Sequence, residues 1–153
     1  MPVATDQFAA AAEQFSAAWE AFFRTTRRLR SRAGKQPLEG LSLPQYHLLE
    51  ALRDEDELSV GVLAEAAGVA PPTATRMLDC LARDGFVERR HSETDRRAVL
   101  ITLTPSGRTA VEAAHDQVNA FRRRVFEALE PAEREHAAAL LTRLTTVLEA
   151  QLP

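Results

Sequence analysis

Two short stretches of this chain carry groups suited to gripping an anionic partner. Thr73, Thr75 and Arg76 fall within four residues, in a run whose apolar members Ala74, Met77, Leu78 and Leu81 recur at helical spacing. The polar residues Thr73, Thr75, Arg76, Asp79, Cys80 and Arg83 then share the opposite, outward side of that helix. Short hydroxyls and an arginine near a helix N-terminus are groups that reach phosphates and base edges in a DNA major groove. The second stretch is Asp95-Arg96-Arg97, in a polar segment between two strand-like runs. An arginine on such a tip gains from the concentrated negative potential of a narrow minor groove, and a nearby carboxylate can hold it in one rotamer. The plainer reading of the tip is a solvated turn with a surface ion pair worth about 0–1 kcal/mol.

The other reactive residue types point away from catalysis. The sequence contains no G-x-S-x-G, no glycine-rich phosphate loop and no paired-carboxylate motif, so no enzyme is expected. His47, His91, His115 and His136 never stand three or four residues from a cysteine or another histidine, and there is no H-E-x-x-H. No metal site and no cofactor are expected. The acidic run Asp54-Glu55-Asp56-Glu57 reads as a solvated loop. Cys80, the single cysteine, cannot form an internal disulfide and reads as a small half-buried residue.

Charge distribution decides whether a polyanion is an acceptable partner. The 153 residues carry 19 Lys+Arg and 22 Asp+Glu, for a net charge of −3. Residues 1–40 and 71–110 are each +2, whereas residues 41–70 are −5 and residues 111–153 are −2. DNA responds to local positive charge, so the overall −3 does not exclude it. Arg24, Arg27, Arg28, Arg30, Arg32 and Lys35 form a basic block read as a solvated helix face, as is Arg122-Arg123-Arg124. The apolar fraction, 45%, is that of a globular chain, and the length suits one domain or one domain with helical arms. The longest apolar run is far short of the ~18 residues of a membrane span. With no basic segment ahead of an apolar core at the N-terminus, no signal peptide and a cytoplasmic location are expected.

These groups need elements to position them. Phe8, Ala12, Phe15, Trp19, Phe22, Thr26 and Leu29 recur at steps of three and four, predicting a helix over 6–33 with an unusually aromatic stripe. A second helix follows Ser42 as N-cap, with Pro44 in its first turn and Leu43, Tyr46, Leu48, Leu49 and Leu52 facing inward. Leu58-Ser59-Val60 reads as extended. Residues 63–81 read as two helices joined at Gly68, the second opened by Pro71-Pro72. The period then changes to strands over 86–90 and 98–103, a hairpin with its tip at 92–97. Thr104 caps a long helix with Val111, Ala114, Val118, Phe121, Val125 and Leu129 as its stripe, and Pro131 separates it from a last helix bearing Leu140, Leu144, Val147 and Leu148. The order helix, helix, tight turn, helix, hairpin is that of a winged helix-turn-helix. The fold expected is mostly α with a small β-hairpin wing and long terminal helices. A lobe of this size with a projecting wing cannot bury all the terminal stripes, which predicts an obligate homodimer.

The run Thr73-Ala74-Thr75-Arg76, then Leu81, Arg83-Asp84-Gly85-Phe86-Val87-Glu88-Arg89-Arg90, Asp95-Arg96-Arg97-Ala98 and Leu103-Thr104-Pro105-Ser106-Gly107 resembles the multiple antibiotic resistance regulator (MarR) family. Leu43-Pro44-Gln45-Tyr46 with Leu49 resembles that family's second helix, and the close likeness covers residues 42–110. The resemblance implies a homodimer with interleaved terminal helices, two winged lobes on a pseudopalindromic operator, and release of DNA by a small effector. It implies a 1–40 dimerisation helix, a 41–104 DNA-binding lobe and 105–153 dimerisation helices. It makes Thr73, Thr75, Arg76, Arg90, Asp95, Arg96 and Arg97 the DNA-contacting set, with Arg97 inserted in the minor groove, Asp95 orienting it and Arg96 along the backbone. An effector pocket is expected between the first two helices and the lobe, with Phe22, Phe23, Tyr46 and His47 as walls. The cysteine that peroxide-sensing members carry near the first helix has no counterpart here, and Cys80 stands where the family often has a basic residue. Two other readings stay open. One is a metal- or redox-responsive regulator on the same fold; the other is a winged-helix protein–protein adaptor that binds no DNA.

Overall fold

The computed structural model describes residues 3–33, 38, 40–91 and 99–151. The chain divides into two compact units, Met1–Ala114 and His115–Pro153. In the first unit, helix α1 (Val3–Ala33) is followed by α2 (Leu43–Leu49) and a 3-10 turn (Glu50–Arg53). Strand β1 (Leu58–Ser59), α3 (Val60–Ala66), α4 (Pro71–Arg83), β2 (Val87–His91) and β3 (Val99–Leu103) complete the winged lobe. Helix α5 (Pro105–Glu127) starts in this unit, and α6 (Pro131–Glu149) belongs to the second. No helix among the described residues is long and apolar enough to cross a membrane.

The start of α2 follows from its sequence. Ser42 Oγ accepts the Gln45 N–H, and Gln45 Oε1 accepts the Ser42 N–H at 2.8 Å, a reciprocal capping box. The helix tightens to 3-10 geometry at Glu50, so Leu52 reaches the core from a turn rather than from α2 itself. Leu41, Tyr46, Leu48, Leu49, Leu52, Leu63, Leu78, Leu81, Ile101 and Val111 are fully buried together with small Ala64, Ala74 and Ala114. Each buried leucine of this kind stabilises the lobe by about 1.5–3 kcal/mol relative to exposure.

The expected hairpin is present, with a third strand added. Strand order is β1-β3-β2, all antiparallel, with Leu58 opposite Ile101 and Ser59 opposite Leu100. Two residues are too few to give a period, which is why the sequence marks 58–60 only as extended. Val60 instead opens α3, because Ser59 caps that helix by accepting the Val62 N–H. The expected tip, residues 92–97, lies outside the described residues.

Val111 and Ala114 of the α5 stripe are buried, but much of the remaining terminal stripes stays exposed. Trp19 stacks between Phe15 (5.6 Å) and Phe23 (4.7 Å) along α1, yet Phe8 is 76% and Phe22 57% exposed. In the second unit Phe121, Val125 and Phe126 of α5 are exposed, and α6 buries no residue at all. The corner between α5 and α6 is closed by Arg134. Its guanidinium donates to the carbonyls of Phe126, Glu127 and Leu129 and lies 5.2 Å from the Phe126 ring centroid. These carbonyls lie at the end of α5 and in the turn after it, where a helix runs out of N–H donors; the Phe126 carbonyl also accepts the Leu129 N–H (3.2 Å).

One junction ties the lobe to α5. The Thr104 N–H donates to the Phe86 carbonyl (3.0 Å), and Thr104 Oγ1 donates to the Gly85 carbonyl (2.6 Å) while accepting the Gly107 N–H (2.9 Å). Gly107 lies directly on the Phe86 backbone: a Cβ there would fall inside the Phe86 carbonyl oxygen and 2.8 Å from its carbon. Backbone cannot swing aside as a side chain can. Gly107→Ala is therefore expected to cost at least about 2 kcal/mol in urea unfolding, with the wing as the first part to loosen. A loss below about 0.5 kcal/mol would mean that α5 can lift off Phe86 freely.

Candidate nucleic-acid interface

The α3–α4 corner is built from short residues and one unusual backbone angle. Gly68 takes φ +63°, a conformation that costs other residues roughly 1 kcal/mol or more. Its N–H donates to the Glu65 carbonyl, and the next residue, Val69, donates to the Ala64 carbonyl. Helix α4 then begins with Pro71 and Pro72, which have no N–H to satisfy; the Thr73 and Ala74 N–H groups both donate to the Ala70 carbonyl. Backbone donors at this helix start are thus few and already engaged, so side chains must make its polar contacts.

Those side chains lie where the periodicity put them. Ala74, Leu78 and Leu81 are buried and Met77 half-buried, while Thr73, Thr75, Arg76, Asp79, Cys80 and Arg83 are all exposed. Cys80 is more open than the half-buried reading allowed, because it sits on the outward side of α4, where Arg83 Nη2 lies 3.3 Å from its sulfur. Thr75 Oγ1 donates to the Pro71 carbonyl (3.0 Å), which leaves oxygen lone pairs and the methyl group as what Thr75 offers outward. Arg76 has no hydrogen bond or ion pair among the described residues.

Strand β2 supplies two arginines with different partners. Successive strand residues point to opposite faces. Arg89 Nη1 pairs with Asp79 Oδ1 of α4 at 2.9 Å, and its Nη2 donates to the Thr75 carbonyl at 3.2 Å. Arg90 pairs with Glu57, from the loop ahead of β1. Neither partner stands near its arginine in sequence, so reading the chain alone marked Arg90 and passed over Arg89. The two-residue period of the strand was the available signal that the neighbours part company. Asp95, Arg96 and Arg97 lie outside the described residues.

The residues expected to line a pocket are in two groups. Tyr46 is fully buried, its hydroxyl donating to Glu50 Oε1 at 2.6 Å, and His47 Nδ1 is 3.4 Å from Glu50 Oε2. Phe22 and Phe23 meet edge to face on α1 and are exposed. Glu50 thus occupies the polar ends of both Tyr46 and His47. Nearby, Arg53 grips Glu112 with two parallel hydrogen bonds, joining the turn after α2 to α5 (3.3 and 3.2 Å). Hydrogen bonding to the Glu112 carboxylate raises the Arg53 pKa further above its ordinary value. Among the described residues no group of three His, Cys, Asp or Glu could hold a metal ion.

This arrangement has relatives. A profile of the MarR family matches residues 41–99. The HTH-type transcriptional regulator YfiV of Bacillus subtilis (strain 168) is 33% identical over 109 residues, 71% of this chain and 68% of that protein. The structure also resembles that of MepR from S. aureus, solved in a complex with DNA (26% identity, TM-score 0.74, 84% of this chain and 97% of that one). It resembles Bordetella bronchiseptica BpsR as well, whose DNA binding is regulated by 6-hydroxynicotinic acid (28% identity, TM-score 0.69, 84% and 98%).

The Arg90–Glu57 pair generates a test. Glu57→Gln removes the competing acid and leaves Arg90 available to phosphate. Binding to any duplex should tighten, and the slope of log affinity against log salt should steepen by about 0.9, the value for one added phosphate contact. Fluorescence anisotropy at several salt concentrations measures both, and an unchanged slope would leave Arg90 outside the interface.

Proposed function

The chain belongs to the MarR family of DNA-binding transcriptional regulators, and from that membership we propose that it acts as a homodimeric repressor, held on a pseudopalindromic operator and released by a small effector. The observation that carries this reading is the outward face of α4. It combines Thr73, the lone pairs and methyl of Thr75, and an Arg76 with no competing partner among the described residues, on a helix whose other side is locked into the core. An unpaired arginine on such a helix suits the O6 and N7 acceptors of guanine in the major groove. Arg90 at the base of the wing, with Arg96 beyond it, would follow phosphates. Arg97 would enter the minor groove with Asp95 as its orienter. Residues 41–104 form the DNA-binding lobe in this proposal; residues 1–40 and 105–153 serve dimerisation. Phe22, Phe23, Tyr46 and His47 are the proposed effector walls, in keeping with the effector control described for BpsR.

Exposed apolar rows support the dimer. Phe8, Phe15 and Phe22 on α1, and Leu140, Leu141, Val147 and Leu148 on α6, are more than a single soluble chain leaves in water. A second copy would cover them in a largely apolar interface above about 2,000 Å², the range of obligate dimers. Sedimentation should therefore give a dimer at micromolar concentration and no folded monomer on dilution; a stable folded monomer overturns the assignment.

Base readout is tested on duplexes selected from random sequence by the purified protein. Arg76→Ala is expected to cost about 1–3 kcal/mol per half-site and to relax the choice at one base pair. An equal loss on every duplex would make Arg76 a phosphate contact. Failure of the wild-type protein to bind any duplex at low salt would favour the adaptor reading.

A further inference from the structure

We propose that Arg89 is a positioning residue for base recognition: by holding the Asp79 carboxylate it keeps that acid away from Arg76 and leaves Arg76 free to read the operator. The inference rests on α4 being the recognition helix.

Asp79 is the one acid within the outward row Thr73, Thr75, Arg76, Asp79, Cys80, Arg83. On a helix, residues three and four apart are neighbours, so its default partners are Arg76 on one side and Arg83 on the other. It takes neither. Its Oδ1 is 2.9 Å from Arg89 Nη1, on a different element, and the Arg89 side chain is the less exposed of the two, 31% against 51%. Arg89 is also fastened to the α4 backbone, through Nη2 and the Thr75 carbonyl at 3.2 Å. That carbonyl lies one turn ahead of Asp79, so a single guanidinium spans a turn of the helix with both contacts. A planar guanidinium with a fixed fork of donors does this with a separate nitrogen for each acceptor.

The strand holds Arg89 at the required height. Arg89 is opposite Ile101 in the β2–β3 ladder, and Ile101 is fully buried, so the register cannot slip without exposing the core. Arg89 therefore approaches α4 from a fixed point. The carboxylate is drawn towards the sheet, and Arg76 is left without an acid. Without Arg89, Asp79 regains its helix neighbours. An Arg76 that is paired with Asp79 must break that pair before it can donate to guanine, and the freed acid repels the duplex.

The test is a mutant cycle read as base preference. Anisotropy is measured on the operator, on an operator altered at the base pair that Arg76→Ala identifies, and on random duplex, with thermal melting of each variant. Arg89→Gln should weaken the preference at that base pair by about twofold, the cost of first breaking an exposed helix ion pair. Asp79→Asn alone should keep the preference, since it leaves Arg76 free. The combination Arg89→Gln with Asp79→Asn should restore it, although both groups of the pair are gone. A residue that only stabilised the fold would not be rescued in this way. Should Arg89→Gln melt near the assay temperature, Arg89→Met, which keeps the aliphatic stem, replaces it. A combined variant with a preference as weak as that of Arg89→Gln overturns the proposal and makes Arg89 a direct contact. A preference retained in full by Arg89→Gln overturns it as well, with the α4 reading intact. A wild-type protein whose binding has no Arg76-dependent preference overturns the α4 reading and this proposal together.

Discussion

The Phe86 backbone and the first turn of α5 share one space, and the lobe is organised around that contact. Gly107 leaves room for the Phe86 carbonyl, which accepts the Thr104 N–H, while Thr104 and Ser106 hydroxyls close on the Gly85 carbonyl. These bonds join three boundaries at once: the end of α4, the start of β2 and the end of β3. Each has an orphan backbone group that a helix or ladder cannot satisfy, and each is satisfied by the others. The placement of β2 relative to α4 follows from this knot, and with it the reach of Arg89 to Asp79. The proposed recognition surface, made of side chains from two elements, needs such a fixed junction, because an error of one residue in β2 would exchange Arg89 with Arg90.

Much of this was legible in the chain because local rules and burial agree. The α4 periodicity separated Ala74, Leu78 and Leu81 from Thr73, Thr75 and Arg76, and the structure keeps that division. Ser42, Thr104, Gly68 and Pro71-Pro72 each marked an element boundary by a specific chemical need, a cap, a positive φ or a missing donor. Partners distant in sequence were not legible. Nothing in the spacing ties Arg90 to Glu57 or Arg53 to Glu112, since those pairs depend on how β1 and α5 come to rest. The third strand escaped notice for a related reason: Leu58–Ser59 becomes a strand only because β3 is beside it.

The terminal helices obey a different constraint. Helices α1 and α6 each leave large apolar residues exposed. Isolated helices in water are marginal even at good propensity. The alanine-rich composition helps, but the aromatic residues Phe8, Phe15, Trp19, Phe22 and Phe23 are poor helix formers. They make sense as a surface selected to be covered. In the proposed homodimer, stability and assembly would be a single equilibrium, and weakening the apolar rows would loosen the arms as well as separate the copies.

Among the described residues, three of the chain's 22 acids are engaged by arginines from other elements. Asp79, Glu57 and Glu112 are each held by an arginine from another element, Arg89, Arg90 and Arg53 respectively. Exposed pairs of this kind add little to stability, because solvent screens them and two long side chains lose freedom. Their effect is on the field at the surface. A carboxylate already engaged by a guanidinium projects little negative potential, whereas the same carboxylate unpaired would repel phosphates over most of a Debye length, about 8 Å at physiological salt. Arg89, Arg90 and Arg53 are each matched with an acid, whereas Arg76, on the outward face of α4, has no ion pair among the described residues. A chain with a net charge of −3 can in this way still offer a cationic contact on α4, the helix proposed to read the duplex.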